Sequence, residues 1–175
     1  MLEGMGVDLK QKDMADTPRR VAQMYQEILS GQEKDPEKEL EVILEQRHDE
    51  IILLKDIPIY STCEHHLATF FGKAHVAYIP DKRITGLSKI ARVVEVLSRR
   101  LQVQERLTTQ VADAIMKRLK PKGVMVVVEA EHLCMSMRGV KKAGAVTTTS
   151  VVRGIFRKDS KTRQEALSLI YRGHS

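Results

Sequence analysis

Two apolar stripes of helical period lie back to back between residues 88 and 119, and they restrict the fold more than any other feature. Behind Ser88, a good N-cap, Ile90, Val93, Val94, Leu97 and Leu101 recur on one helical face. A second helix starts near Val103-Gln104-Glu105 and carries Leu107, Val111, Ile115 and Leu119, and Pro121 with Gly123 stops it. Extended segments flank this pair. On the N-terminal side the chain reads as extended from Leu40 to Thr62, with Pro58 marking an edge or an irregularity, and a second strand covers Phe71 to Ile79. His75 lies inside that strand and reads as a packed or edge residue rather than a ligand. On the C-terminal side Val124–Val128 open a third strand, whose alternation predicts Ala130, His132, Cys134, Ser136 and Arg138 on one face. A fourth strand begins at Ala145 and runs to Phe156.

A helix at each end completes the pattern. The first follows Asp16-Thr17-Pro18, a cap and a first-turn proline, and carries Val21, Met24, Tyr25, Ile28 and Leu29 up to Gly31. A polar loop follows over 32–38. The closing helix starts near Asp159-Ser160 and presents Leu167, Ile170 and Tyr171. The order is therefore helix, two strands, two helices, two strands, helix. Strands joined locally in pairs predict antiparallel hairpins with both central helices on one face, an α+β architecture around a four-stranded antiparallel sheet. Its two open edges predict an oligomer. Residues 1–38 read as an N-terminal helical segment and 39–175 as the sheet-bearing domain.

The chain carries a net charge of +6, which admits nucleic acid, an acidic membrane surface or a polyanionic small molecule as partner. The basic residues are interspersed with acids, which favours a local anion site over a nucleic-acid stripe. Aromatics are 4% and Trp is absent, so stacking platforms for single strands are scarce and no nucleic-acid partner is expected. No apolar run approaches the ~20 residues of a membrane span. The N-terminus has no basic-then-apolar signal, and two Cys make no disulfide framework; a reducing, cytoplasmic setting without membrane contact is expected.

Chemistry concentrates in Cys63-Glu64-His65-His66, which holds a thiol, a carboxylate and two imidazoles. Cys63 and His66 are close enough to face one point, and Zn²⁺ accepts thiolate at ~2.3 Å and imidazole nitrogen at ~2.0 Å. Two ligands do not hold zinc, which brings in the other cysteine, Cys134, with His132 two residues before it. The plain alternatives are a buried Cys and a hydrogen-bonded His. A purely structural zinc would need a fourth ligand, and no third Cys exists, so a His or an acid would have to serve. Ser88, Lys89 and Arg92 gather near a helix N-terminus, either as a phosphate site or as the wet face of an ordinary helix. Arg19 and Arg20 open the first helix, either as solvated surface charges or as groups facing an anion with the helix N-terminus. Glu105 can serve simply to complement the dipole of its helix.

Five motifs now stand in order: Asp16-Thr17-Pro18-Arg19-Arg20, Ser61 to His66, Gly86 to Arg92, Gln102 to Thr108, and His132 to Gly139. From about Asp16 to Ile170 the chain resembles the zinc-dependent GTP cyclohydrolase I family. The resemblance implies the tunnelling fold, ββααββ, in a toroidal homodecamer. It implies conversion of GTP and water to 7,8-dihydroneopterin triphosphate and formate, the entry to folate and pterin cofactors. By the same resemblance Cys63, His66 and Cys134 are the zinc ligands, and His65 and His132 carry protons at the purine. Glu105, with Gln104 beside it, reads guanine, and Ser88, Lys89, Arg92 and Arg138 contact triphosphate or ribose. Arg20 is a phosphate contact lent by a neighbouring subunit, from a helix with no evident reason to pack beside its own chain's site. Three protein ligands would leave zinc one position for water, and a His of pKa near ~6.5 suits protonation of guanine N7, with His132 preferred to His65. Ser88 would pass a proton to the ribose ring oxygen. The competing readings are another tunnelling-fold pterin or deazapurine enzyme, a structural-zinc nucleotide-binding protein, and a basic nucleic-acid-binding module.

Overall fold

The computed structural model describes residues 2–40, 43–45 and 48–172. Glu41 and Val42 of the first expected extended run lie outside the described residues. The elements are α1 (Thr17–Ile28), β1 (Ile43–Glu45), β2 (Ile52–Cys63), β3 (Thr69–Ile79), β4 (Arg83–Thr85), α2 (Leu87–Ser98), β5 (Leu101–Gln102), α3 (Gln104–Leu119), β6 (Gly123–His132), α4 (Leu133–Ser136), β7 (Val146–Gly154), α5 (Ile155–Lys158) and α6 (Ser160–Tyr171), with 3-10 turns at Glu3–Met5 and Pro36–Leu40. No helix among the described residues is long and apolar enough to cross a membrane.

The main sheet has the order β5-β2-β3-β6-β7. β2–β3 and β6–β7 pair antiparallel, as the local hairpins predicted, and β3–β6 joins the two hairpins, also antiparallel. The sheet has five strands rather than four because the link between α2 and α3 runs beside the end of β2. There Leu101 and Gln102 pair in parallel with Thr62 and Cys63. β1 and β4 form a separate two-stranded ribbon. Pro58 lies on a stretch of β2 that pairs with β3 alone, Pro58 opposite Lys73, so the strand is an edge there as the proline suggested.

The apolar stripes decide which face each helix covers. Ile90, Val93, Val94 and Leu97 of α2 and Leu107, Val111 and Ile115 of α3 pack on Ile57, Ile59, Phe70, Val76, Val126 and Val128 of the sheet. Both central helices thus occupy one face, as expected. The other face is covered at one end by Phe156, Ala166 and Ile170, set against Ala77, Ile79, Met125 and Val127. Gly31 lies against the C-terminal half of α2, where a Cβ would meet the Val96 carbonyl oxygen at 2.0 Å. α1 buries none of its residues fully, and Val21 and Met24 of its apolar face stay exposed in one protomer.

His75 is packed, with 1% of its surface exposed. Its Nδ1 accepts from the Asp56 N–H at 3.2 Å, and its Nε2 lies 3.4 Å from a Glu129 carboxylate oxygen. Burial lowers its pKa, against the pull of Glu129. The contact braces a bulge in β2 between Leu54 and Ile57, where Asp56 takes a φ of 59°. This is the irregularity that Pro58 marks.

Several local expectations change. β6 ends at His132, and Leu133–Ser136 is a helical turn closed by Met137 N–H to Leu133 O at 3.0 Å. The reason is pairing: His132 faces Phe70 near the start of β3, and beyond it β3 offers no partner. Cys134, Ser136 and Arg138 therefore do not continue the face of His132. Helix α2 starts at Leu87 with Gly86 as N-cap, so Ser88 lies inside the first turn and does not cap it. Asp16 occupies the N-cap of α1, but its carboxylate turns to Arg19 and Arg20 at 3.3 and 3.8 Å instead of the backbone. β7 stops at Gly154, two residues short of Phe156. Gly154 has φ 59°, and a Cβ there would lie 2.1 Å from Lys122 O. α6 begins as expected, with the Asp159 carboxylate accepting from the N–H groups of Lys161 and Thr162.

Candidate metal centre and active site

β2 delivers Cys63 to one end of the sheet, and the chain then folds back at once. Leu67 N–H donates to Cys63 O at 2.9 Å and Cys63 N–H to Ala68 O at 2.8 Å. Leu67 takes φ 53° to close the turn. β6 reaches the same end, since β2 and β6 both flank β3 and its partners there are Thr62 with Thr69 and Phe70 with His132. The helical turn after His132 then swings Cys134 toward Cys63. The two sulfurs and a ring nitrogen of His66 all lie within 4.8 Å of one another. This S₂N set suits a single Zn²⁺ with one position left over. Burial pushes the Cys134 thiol pKa up, and the neighbouring Cys63 adds to the shift. A cation between the two sulfurs would reverse both effects.

The turn is tied to α3 as well. Glu64 N–H donates to Gln102 O at 3.0 Å. Arg106 grips the Glu64 carboxylate, and it also donates to Gln102 Oε1 and Leu101 O, both at 3.0 Å. The Arg106 guanidinium holds the Glu64 carboxyl below the usual carboxylate range. His65 projects outward, with Nδ1 3.9 Å from Cys63 Sγ and Nε2 3.8 Å from Glu64. It stands beside the metal donors without joining them.

His132 is clamped from two sides. Its ring stacks on Phe70 at 4.7 Å between centroids and 10° between planes. Its Nε2 lies 2.7 Å from Gln104 Oε1. Gln104 is 2% exposed, and its amide nitrogen donates to Val128 O, Thr147 O and Thr149 Oγ1 at 2.9, 2.9 and 3.1 Å. With its amide engaged in this way, Gln104 faces His132 rather than an open base-binding surface. Glu105, the next residue, is exposed in the first turn of α3. Burial lowers the His132 pKa, and the Glu105 charge opposes that shift.

Of the other expected contacts, Ser88, Lys89, Arg92 and Arg20 do not gather with the three donors in one protomer, whereas Arg138 lies close to Cys134. α2 leads through its C-terminus to β5 beside Cys63, so Ser88 and Lys89 sit at the far end of a helix about 18 Å long. Arg92 is exposed, 4.0 Å from Glu39. It lines a cleft of 590 Å³ between α1, β2 and α2 that includes Ser61 and Thr62 but none of the three metal donors. Arg138 is exposed just beyond α4, and its charge bears on Cys134. Arg20 is exposed and paired only with Asp16 among the contacts described. α1 itself does touch the metal turn of its own chain, because the Tyr25 hydroxyl donates to Leu67 O at 3.1 Å. That contact corrects the view of α1 as remote from its own site. Tyr25, Phe70, Arg106, Thr108 and Thr149 are the neighbours that sequence reading missed. Arg106 and Thr108 left a signal, as members of the Gln102 to Thr108 motif.

The family description GTP cyclohydrolase I matches residues 1–171. A protein of Mycolicibacterium vanbaalenii named GTP cyclohydrolase 1 is 59% identical over 174 residues, covering 98% of this chain and 86% of the relative. Proteins of the same name from Pelotomaculum thermopropionicum and Carboxydothermus hydrogenoformans are each 58% identical, over 97% and 99% of this chain and 91% and 90% of their own lengths.

Proposed function

The chain belongs to the GTP cyclohydrolase I family, and from that premise we propose that it opens the imidazole ring of GTP hydrolytically. The reaction releases C8 as formate and rearranges the remainder to 7,8-dihydroneopterin triphosphate. The observation that carries this reading is the meeting of Cys63, His66 and Cys134 beside a His132 held by Gln104. A zinc ion held by those three donors would supply Lewis acidity and bring the pKa of water at its remaining position to about 7.

The chain's own residues do the rest. Addition of water at guanine C8 pushes electrons onto N7, and His132 gives N7 its proton, with His65 as a second carrier. Glu105 accepts from guanine N1–H and the exocyclic amine together. Adenine lacks that donor pair and would leave the carboxylate unpaired. Lys89, Arg92, Arg138 and Arg20 compensate the triphosphate, and Ser88 serves the ribose ring oxygen. The distance of Ser88 and Lys89 from the metal end of their own protomer favours a site completed by other subunits. A homodecamer of tunnelling-fold protomers in the cytoplasm agrees with that requirement.

Incubating the zinc-loaded protein with GTP should release formate and produce a pterin absorbance, and ATP should yield neither. Zinc-loaded, folded oligomer that leaves GTP intact would defeat this assignment. The shared site has its own test. Arg20→Ala chains keep the metal donors, and Cys134→Ser chains keep the arginine. Dissociated and reassembled together, they should be more active than either parent. Proven hybrid oligomers no more active than the parents would place Arg20 within its own subunit's site or outside the site altogether.

A further inference from the structure

Beyond Cys63 the chain leaves the sheet, and the turn that carries two of the three metal donors needs support from outside. Its own backbone bonds, Cys63 N–H to Ala68 O and Leu67 N–H to Cys63 O, close the turn without aiming it. Main-chain pairing with β5 ends at Cys63 and Gln102, with one further bond from Glu64 N–H to Gln102 O. Between Glu64 and Leu67, among the described residues, Glu64 alone has a side chain that bonds outside the turn, and its partner is Arg106 of α3.

Arg106 is itself held in place. Its Nε donates to Gln102 Oε1 at 3.0 Å, and the terminal nitrogen that reaches Glu64 also donates to Leu101 O at 3.0 Å. Gln102 is 1% exposed, and both hydrogens of its amide are taken, by Leu97 O at 3.0 Å and Gln110 Oε1 at 2.8 Å. Its oxygen is thereby left for the guanidinium. An exposed ion pair between two free side chains is worth little, but this guanidinium is fixed by Gln102 and a backbone carbonyl before it meets Glu64. Orientation thus passes from the end of α2 through Gln102 and Arg106 to Glu64, the residue that follows the donor Cys63.

We infer that Arg106 is a positioning residue for the metal centre: by holding Glu64 it sets the turn so that Cys63 and His66 face Cys134. The inference rests on the zinc site of the function proposed above and is independent of the substrate. Donors set in advance bind a metal without ordering a loop in the same step, so the support is read as metal affinity.

The test measures zinc affinity on folded protein by competition with a chromophoric chelator at neutral pH. Arg106→Met should bind zinc roughly 10–100-fold more weakly than wild type. Glu64→Gln removes the same ion pair at a partly exposed position. It should weaken zinc binding in the same direction and leave the thermal stability of the metal-free protein near that of wild type. The double variant should be no weaker than Arg106→Met alone, because both changes act through one contact. A folded Arg106→Met protein with wild-type zinc affinity would overturn the inference, and so would single losses that simply add in the double variant. If Arg106→Met does not fold, Glu64→Gln decides alone, and unchanged affinity there is the overturning result. No GTP enters the measurement. Affinity that falls as expected in protein inert toward GTP would refute the reaction and keep the role of Arg106, and active protein with unchanged affinity in both variants would do the reverse.

Discussion

Cys134→Ser should lose its metal and its turnover together while keeping its fold. The substitution exchanges a thiolate donor for a hydroxyl that is a poor zinc ligand at neutral pH. Outer-shell partners of a zinc site are alone worth roughly 10–100-fold in affinity, so loss of a direct donor should weaken binding by more than about 100-fold. The fold should survive because Cys134 is only partly buried, on a short helical turn at the edge of the core. Serine fits that turn. In metal-free protein it also relieves the opposition of two neighbouring sulfurs, which together with burial raises the thiol pKa. Metal analysis after dialysis, circular dichroism and formate release read the three quantities separately. Full activity in a variant shown to be metal-free would remove Cys134 from the ligand set.

His132→Ala should separate chemistry from metal binding. The three donors do not include His132, so zinc content should match wild type, whereas loss of a positioned proton donor should slow ring opening by about 10²–10⁴-fold. The variant also leaves Gln104 Oε1 without its partner and Phe70 without its stacked ring. Some loss of thermal stability is therefore expected alongside the kinetic effect, on the order of 1–3 kcal/mol for a buried acceptor left unpaired. Zinc stoichiometry is the deciding measurement. If metal falls in step with activity, His132 is a ligand and the proton must come from elsewhere.

The elements of this protein are written locally. Period-3.6 stripes at Ile90–Leu97 and Leu107–Leu119 and apolar extended runs on either side specify two helices on one face of an antiparallel sheet. Each stripe can bury itself only against that sheet. The candidate metal donors are legible as a group, because Cys63 and His66 stand three residues apart and only one other Cys exists, although each Cys or His taken alone admits a plain packing role. Where reading along the chain failed, the deciding partner was elsewhere in the molecule. Alternation carried β6 past His132, but a strand continues only while a neighbour accepts its hydrogen bonds, and β3 offers none there. The helical turn that replaces it is what brings Cys134 to Cys63. β5 is similar, for Leu101 and Gln102 become a strand only because Thr62 and Cys63 run alongside. Gln104 looked like a base contact by its place beside Glu105, and its carbonyl partners on β6 and β7 turn it into a holder of His132. The contacts of Arg106 with Glu64 and of Tyr25 with Leu67 each join residues 42 apart in the chain, which no local periodicity can announce. Local order thus specifies the elements and most of the reactive groups. Pairing across the sheet decides where strands stop, which donors meet and what holds His132, since hydrogen-bond partners far apart in the chain become neighbours only on folding.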